Sequence, residues 1–404
     1  MTPDRAAAPP AGGDPLEELG LDRLRTRTSA KWRAYPPDVL PLWVAEMDVS
    51  LAPPVRDALL AAVRDGDTGY PHGTGYFQAL ADFARDRWGW GGVSVDRCAF
   101  AADVMVGAIE ALRLVTQPGD AVVINPPVYP PFYAFLEHAG LRVAQAPLGP
   151  DGRLDLDIIA TVFRDIRPAA YLLCSPHNPT GTVHTAAELE ALAALAGRFG
   201  VRVVADEAHA PLVLPGSRFV PYLSVPGGQD ALAVFSAAKG WNLPGLKAAV
   251  IVAGTDAAAT LARLSEIVSH GPSHLGVLAH TVALTEGRDW LDRLLIGLDR
   301  KRALLGQLLA EHLPAVRYRP PEASYLAWLD CRGLGLGEEE PVVPGEVTST
   351  AGAAGFFLAA ARVGLSAGPA FGAPGAGHVR LNFATSAQIL GEAIRRMAAA
   401  VADR

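Results

Sequence analysis

Lysine is scarce in this chain. Among 35 basic residues only four are lysine, Lys31, Lys239, Lys247 and Lys301, and the other 31 are arginine. Chemistry that needs an amine nucleophile therefore has four candidates, because a guanidinium stays protonated. Cysteine is scarcer still, with Cys98, Cys174 and Cys331 only. Three scattered thiols make neither a disulfide framework nor a metal cluster, and the odd count suits a reducing, cytoplasmic compartment. A surplus of positive charge is also missing. The formal charge is −7, which argues against a nucleic-acid surface of clustered Lys and Arg. No uncharged apolar run reaches the roughly eighteen residues that a spanning helix needs, so no membrane is expected. The first twenty residues lack a basic start and an apolar core, and read as a loose tail rather than a secretory leader.

What is present points to a large folded body. Half of the 404 residues are apolar and 19% are charged, as in a protein with a substantial core. Short, nearly continuous apolar runs suit strands buried on both faces: Ala121–Ile124, Ala170–Cys174, Val201–Ala205, Leu232–Phe235 and Ala248–Ala253. Amphipathic stretches lie between them. One runs from Thr185 to Phe199, with Thr185 and Glu188 spaced as a capping box and Gly200 as a stop. The alternation predicts an α/β fold with a mostly parallel sheet. A long helix is expected over about Asp289–His312, followed by a smaller α+β unit with strands near Ser324–Leu329 and His378–Phe383 and a helix near Thr350–Val363. The Gly/Glu/Pro-rich stretch 332–345 is either a mobile flap or a tolerated insertion, and the second reading is preferred.

Ligands of open parallel sheets bind at the carboxyl ends of the strands, so the polar groups at those ends matter most. One run leads into Asn125-Pro126-Pro127-Val128-Tyr129 and the next into Ser175-Pro176-His177-Asn178-Pro179-Thr180-Gly181. Two others deliver Asp206-Glu207-Ala208-His209 and Ser236-Ala237-Ala238-Lys239. Each has a plain reading taken singly: Asp206 could open a loop, and Asn178-Pro179-Thr180-Gly181 is a respectable turn. Together they suit a ligand with a pyridine ring, a phosphate and an aldehyde. Pyridoxal 5'-phosphate (PLP) is such a ligand. It needs a lysine for the Schiff base, a carboxylate facing the ring nitrogen, and a helix start with hydroxyl and cationic groups for the phosphate.

In this arrangement the chain resembles the fold-type I PLP-dependent enzymes of the aminotransferase class I/II group. Further stretches resemble the MalY/PatB-type cystathionine β-lyase (C–S lyase) branch: Ser29-Ala30-Lys31-Trp32, Leu40-Pro41-Leu42-Trp43-Val44-Ala45-Glu46-Met47-Asp48, Pro126-Pro127-Val128-Tyr129-Pro130-Pro131-Phe132, Tyr325-Leu326-Ala327-Trp328-Leu329-Asp330-Cys331 and Val379-Arg380-Leu381-Asn382-Phe383. The resemblance runs from about residue 27 to 397. It implies a flexible tail at 1–26, a segment at 27–50 lining the active site and joining the small domain, a large cofactor-binding domain at 51–288 and a small domain at 289–404.

The same resemblance assigns roles. Lys239 becomes the Schiff-base lysine, Asp206 the pyridinium partner and Tyr129 the ring that stacks on the cofactor. Asn178 and His209 would contact the cofactor O3′. Ser236, Lys247 and the N–H groups of Val104 and Met105 would hold the phosphate, although Lys247 could also be a plain surface lysine. Tyr70 would reach the phosphate of a neighbouring subunit, which implies a homodimer with shared sites. Arg380 would clamp the substrate α-carboxylate, with Trp43, Val44 and Ala45 lining the same pocket. Asp103, before the helix start, stands where the branch usually has glycine, and Ala238 where it usually has serine. The implied activity is β-elimination from L-cystathionine or another cysteine S-conjugate. A PLP-dependent aminotransferase is the alternative, and a regulatory protein-binding role on the same fold is a third reading.

Overall fold

The computed structural model describes residues 12–336, 343–346 and 350–404. Strand β1 (Leu40–Pro41) lies in the N-terminal segment. The main sheet then collects β2 (Cys98–Ala101), β3 (Ala121–Ile124), β4 (Arg142–Gln145), β5 (Ala170–Cys174), β6 (Arg202–Asp206), β7 (Leu232–Phe235) and β8 (Ala249–Ala253). Their spatial order is β2-β8-β7-β6-β5-β3-β4. Only β8 runs against its neighbours. Strands β3, β5, β7 and β8 are buried at every position, which explains their continuous apolar runs. The expected strands fall within a residue or so of the observed ones. Two were missed, β2 and β4. They are the partly exposed edges of the sheet: β4 is framed by Arg142 and Gln145, and the apolar residues of β2 run on into Ala102 with no turn residue to mark a strand end.

Helices cross between the strands. Helix α1 (Val104–Arg113) is capped by Asp103, whose carboxylate accepts from the Val106 N–H. A Cβ on its Gly107 would stand 2.9 Å from Val234 Cγ1, so glycine there lets α1 lie close on the sheet. Helix α2 (Ala186–Phe199) carries the capping box of Thr185 and Glu188 and ends at left-handed Gly200. Helix α3 (Arg288–His312) leads to the smaller unit. There β9 (Arg317–Tyr318), β10 (Leu326–Asp330), β12 (Ser366–Ala367) and β13 (His378–Asn382) form an antiparallel sheet in the order β12-β13-β10-β9, while β11 (Val363–Gly364) pairs with β1. The helix expected near Thr350–Val363 is shorter, Gly352–Phe356 followed by a wider turn at Phe357–Ala361. C-terminal helix α4 (Ala387–Ala402) packs on α3. Of the stretch 332–345, Arg332–Leu334 forms one 3-10 turn; residues 337–342 lie outside the described residues.

The N-terminal segment corrects one expectation. Residues 1–11 lie outside the described residues, but the supposed loose tail is packed from Asp14 onward. Leu16 and Leu24 are fully buried, and Asp14 caps the turn Pro15–Glu17. Lys301 of α3 is buried beneath this segment and pairs with Asp14 at 3.3 Å and Glu17 at 2.6 Å. Asp14 and Glu17, inside the supposed loose tail, are the counter-charges of Lys301.

A second buried pair fixes the next stretch. Lys31 and Asp48 are 0% and 1% exposed and meet at 2.8 Å. Trp32 Nε1 donates to the other Asp48 oxygen at 3.0 Å, and Lys31 Nζ also donates to the Glu46 carbonyl at 3.1 Å. Removing one partner of such a pair strands a buried charge. Lys31→Met should therefore lower the unfolding free energy by about 3–5 kcal/mol, read from the denaturant midpoint. A midpoint within error of the wild type would show that the pair does not hold this segment in place.

Candidate active site

The carboxyl ends of the central strands open on one cavity holding about 700 Å³ of open space, part of it continuous with solvent. After β3 the chain delivers Tyr129, and after β5 Asn178 and the Cys174 thiol. Asp206 and His209 come from the end of β6, and Ser236 and Lys239 from the end of β7. Val104 and Met105 at the start of α1 and Lys247 close the remaining wall. Nine expected residues thus share one cavity, though they span more than 140 positions of sequence. Asp103, Ala208, Ala238, Pro244, Leu246 and Ala248 complete the lining; apart from Asp103 these are small or apolar residues and offered no site signal in the sequence.

Charge in this cavity is shaped by burial. Lys239 faces the cavity, but its ammonium is walled in by protein. Desolvation, with Arg380 adding repulsion against the opposing pull of Asp206, brings its pKa down to about 8. Burial pushes the Asp206 carboxyl up to about 6, although it accepts the Ala208 N–H at 3.0 Å and is drawn down by Lys239. At neutral pH it still carries its charge in the larger fraction. His209 is driven well below its usual value by burial, with repulsion from Lys239 and Arg380 adding to it, and is neutral. Burial raises the Tyr129 phenol to about 12. Glu207, next to Asp206 in sequence, points elsewhere: it accepts the Tyr222 N–H at 2.8 Å, and burial pushes its pKa well above the usual carboxylate range.

Arg380 is 4% exposed and has no carboxylate partner among the described residues. Its guanidinium donates to Asn178 Oδ1 at 3.0 Å, the Trp43 carbonyl at 3.0 Å and Ser366 Oγ at 3.2 Å, and stands over the Phe371 ring at 5.0 Å. Its Nε lacks a partner among the described residues. Desolvation lowers its pKa to about 10. A buried guanidinium held only by neutral acceptors is set to receive an anion. Asn178 spends its carbonyl on Arg380, which leaves its amide nitrogen to donate toward the cavity.

The segment at 43–45 acts through its main chain. The Trp43 carbonyl receives Arg380, and the Ala45 carbonyl receives both Lys239 Nζ at 3.3 Å and Tyr325 Oη at 3.0 Å. The Val44 carbonyl turns away to Asn382 Nδ2 at 2.7 Å. Asn382, Asn242 and Tyr325 are positioning residues that sequence reading did not single out. Asn242 holds both polar groups of Met47, and Asn382 also bonds the Glu46 carbonyl. A main-chain acceptor has no side-chain signature, so these roles are invisible in sequence. Ser236 Oγ donates to the Ala248 carbonyl and accepts the Ala238 N–H. Lys247 pairs with Asp103 at 2.7 Å. Tyr70 stands apart from this cavity and is 91% exposed.

An amine of lowered pKa, a buried carboxylate, an aromatic ring, a helix start and an arginine without a counter-ion thus converge. The chain belongs to the aminotransferase class I and II family, whose model matches residues 39–397. Its fold is that of the fold-type I PLP-dependent enzymes. It is 57% identical to a Mycobacterium tuberculosis protein named "Putative cystathionine beta-lyase", over 97% of this chain and 99% of that one. A Corynebacterium glutamicum protein named "Cystathionine beta-lyase" is 34% identical, covering 94% of this chain and 98% of its own. The crystal structure of a "putative plp-dependent beta-cystathionase" from Corynebacterium diphtheriae superposes with a TM-score of 0.86 at 33% identity, over 95% and 98% of the two chains.

The electrostatics give a direct test. In protein freed of small-molecule ligands, the rate at which an amine reagent labels Lys239 should be half-maximal near pH 8. Asp206 supports the ammonium, so Asp206→Asn should move that midpoint lower. A midpoint that stays or rises would show that the two groups do not interact as described.

Proposed function

We propose that this chain is a PLP-dependent carbon–sulfur β-lyase acting on L-cystathionine or a related cysteine S-conjugate. With water, the substrate yields a thiol, pyruvate and ammonia. The observation that carries the reading is that Lys239 and Asp206 share one cavity, with the guanidinium of Arg380 bonded to Asn178 in its wall. The relatives named for cystathionine β-lyase activity support the choice of reaction.

The cavity fits the cofactor by its chemistry. Lys239 would hold it covalently through an amine that burial keeps largely ready to lose its proton. Asp206 would face the ring nitrogen, and a cation placed there would draw its pKa back down. Tyr129 would stack on the ring, with the Asn178 amide and His209 toward O3′. The start of α1 at Val104 and Met105, with Ser236 and Lys247, would take the phosphate. Bound PLP supplies an electron sink for negative charge developing at the substrate Cα.

Arg380 would bind the α-carboxylate in two places and so orient the Cα–H bond. The Lys239 amine, once exchanged for the substrate's, would take the Cα proton. The Ala45 carbonyl keeps Nζ pointed into the cavity while it waits. Tyr70, exposed on this chain, would serve the phosphate of a second subunit in a homodimer. Three scattered cysteines support a reducing, cytoplasmic setting.

Purified protein supplied with PLP should be yellow, and borohydride should bleach it. Lys239→Arg keeps the charge but should abolish both the colour and turnover. Given L-cystathionine alone, the enzyme should release pyruvate and homocysteine. Activity that appears only with an added keto acid would establish the aminotransferase instead.

A further inference from the structure

We propose that Asp103 is a built-in competitor of the cofactor phosphate, and that Lys247 passes from one anion to the other as the cofactor binds. The inference rests on the PLP reading above. Helix α1 opens on the cavity with Val104 and Met105 in its wall. Unpaired N–H groups and the positive end of the helix dipole make such a start attractive to anions. Here an anion is already in place. Asp103 Oδ1 accepts the Val106 N–H at 2.9 Å, and Oδ2 accepts Lys247 Nζ at 2.7 Å. One carboxylate thus occupies both the helix start and the one lysine besides Lys239 on the cavity wall.

Its two bonds differ in how firmly they hold. The capping bond lies within one turn of the chain and keeps the carboxylate where it is. The ion pair is open to water, with side chains 55% exposed for Lys247 and 29% for Asp103, so it is screened and weak. Lys247 can therefore leave for an incoming phosphate at little cost, while the capping carboxylate remains. The phosphate then sits against a negative charge whose field reaches across the cavity as far as Asp206. Asp103 consequently lowers the affinity for the phosphate-bearing cofactor and keeps it exchangeable.

Asp103→Asn retains a capping side chain without the charge, and Asp103→Ser does so with a different shape. Absorbance titration of cofactor-free protein should show both variants binding PLP about tenfold more tightly than the wild type. Pyridoxal, which lacks the phosphate, should bind all three proteins alike. Inorganic phosphate titrated alone against cofactor-free protein should likewise bind the variants about tenfold more tightly than the wild type. Unchanged or weaker PLP binding in either variant, or equal tightening toward pyridoxal, overturns the inference. A wild-type chain that takes up no PLP overturns the cofactor reading instead, so the two failures remain distinguishable.

Discussion

Two desolvated cations, Lys239 and Arg380, act on each other, with Asp206 the foremost carboxylate opposing their repulsion at Lys239, and much of the molecule follows from that constraint. Lys239 and Arg380 repel each other, and Asp206 only partly offsets them. Burying charge is costly unless it is paired. The fold meets the cost with main-chain carbonyls and neutral side chains rather than with more carboxylates. Trp43, Ala45, Asn178 and Ser366 supply the acceptors. What remains is a buried guanidinium suited to a substrate bearing a carboxylate, beside a cavity wall whose helix start and second lysine suit a ligand bearing a phosphate. Additional carboxylates at the same positions would have stabilised the resting chain and closed the site to both.

Those carbonyls lie on a strap that has no regular secondary structure beyond β1, so its placement depends on tertiary clamps. The Leu40 and Leu42 N–H groups bond the Arg362 and Gly364 carbonyls, and the Asn382 N–H bonds the Leu42 carbonyl. Asn382 and Asn242 grip Val44, Glu46 and Met47 through their side chains. The buried pair of Lys31 and Asp48 anchors the far end. Of the four lysines, Lys239 and Lys247 face the cavity, while Lys31 and Lys301 each neutralise buried or half-buried acids of the N-terminal segment. Lysine scarcity thus has a common thread, since each of the four has a specific anionic or carbonyl partner.

Legibility in the sequence followed burial on both faces. The central strands were readable because a short, unbroken apolar run between turn residues suits a strand covered on both sides, whereas the edge strands β2 and β4 merged with their surroundings. Helix α2 announced itself through Thr185, Glu188 and Gly200, each with a local job at a helix end. Polar residues at strand ends marked the cavity because parallel topology sends all those ends to one side. The tail was misread for a physical reason. Composition describes a segment's own preferences, and the opposite charge that buries it lies almost 290 positions away.

By itself the sequence determined the α/β order, the strand ends that carry chemistry, and the restriction of amine chemistry to four side chains. These are local properties, set by apolar runs, capping residues and the kinds of group each position offers. Only the tertiary structure decided which carbonyls receive Lys239 and Arg380, that Arg380 lacks a counter-ion, and that Asp103 holds Lys247 at the helix start. The physical reason is that hydrogen bonding and desolvation depend on distance in space. A main-chain carbonyl is identical at every position until the fold points it at a charge.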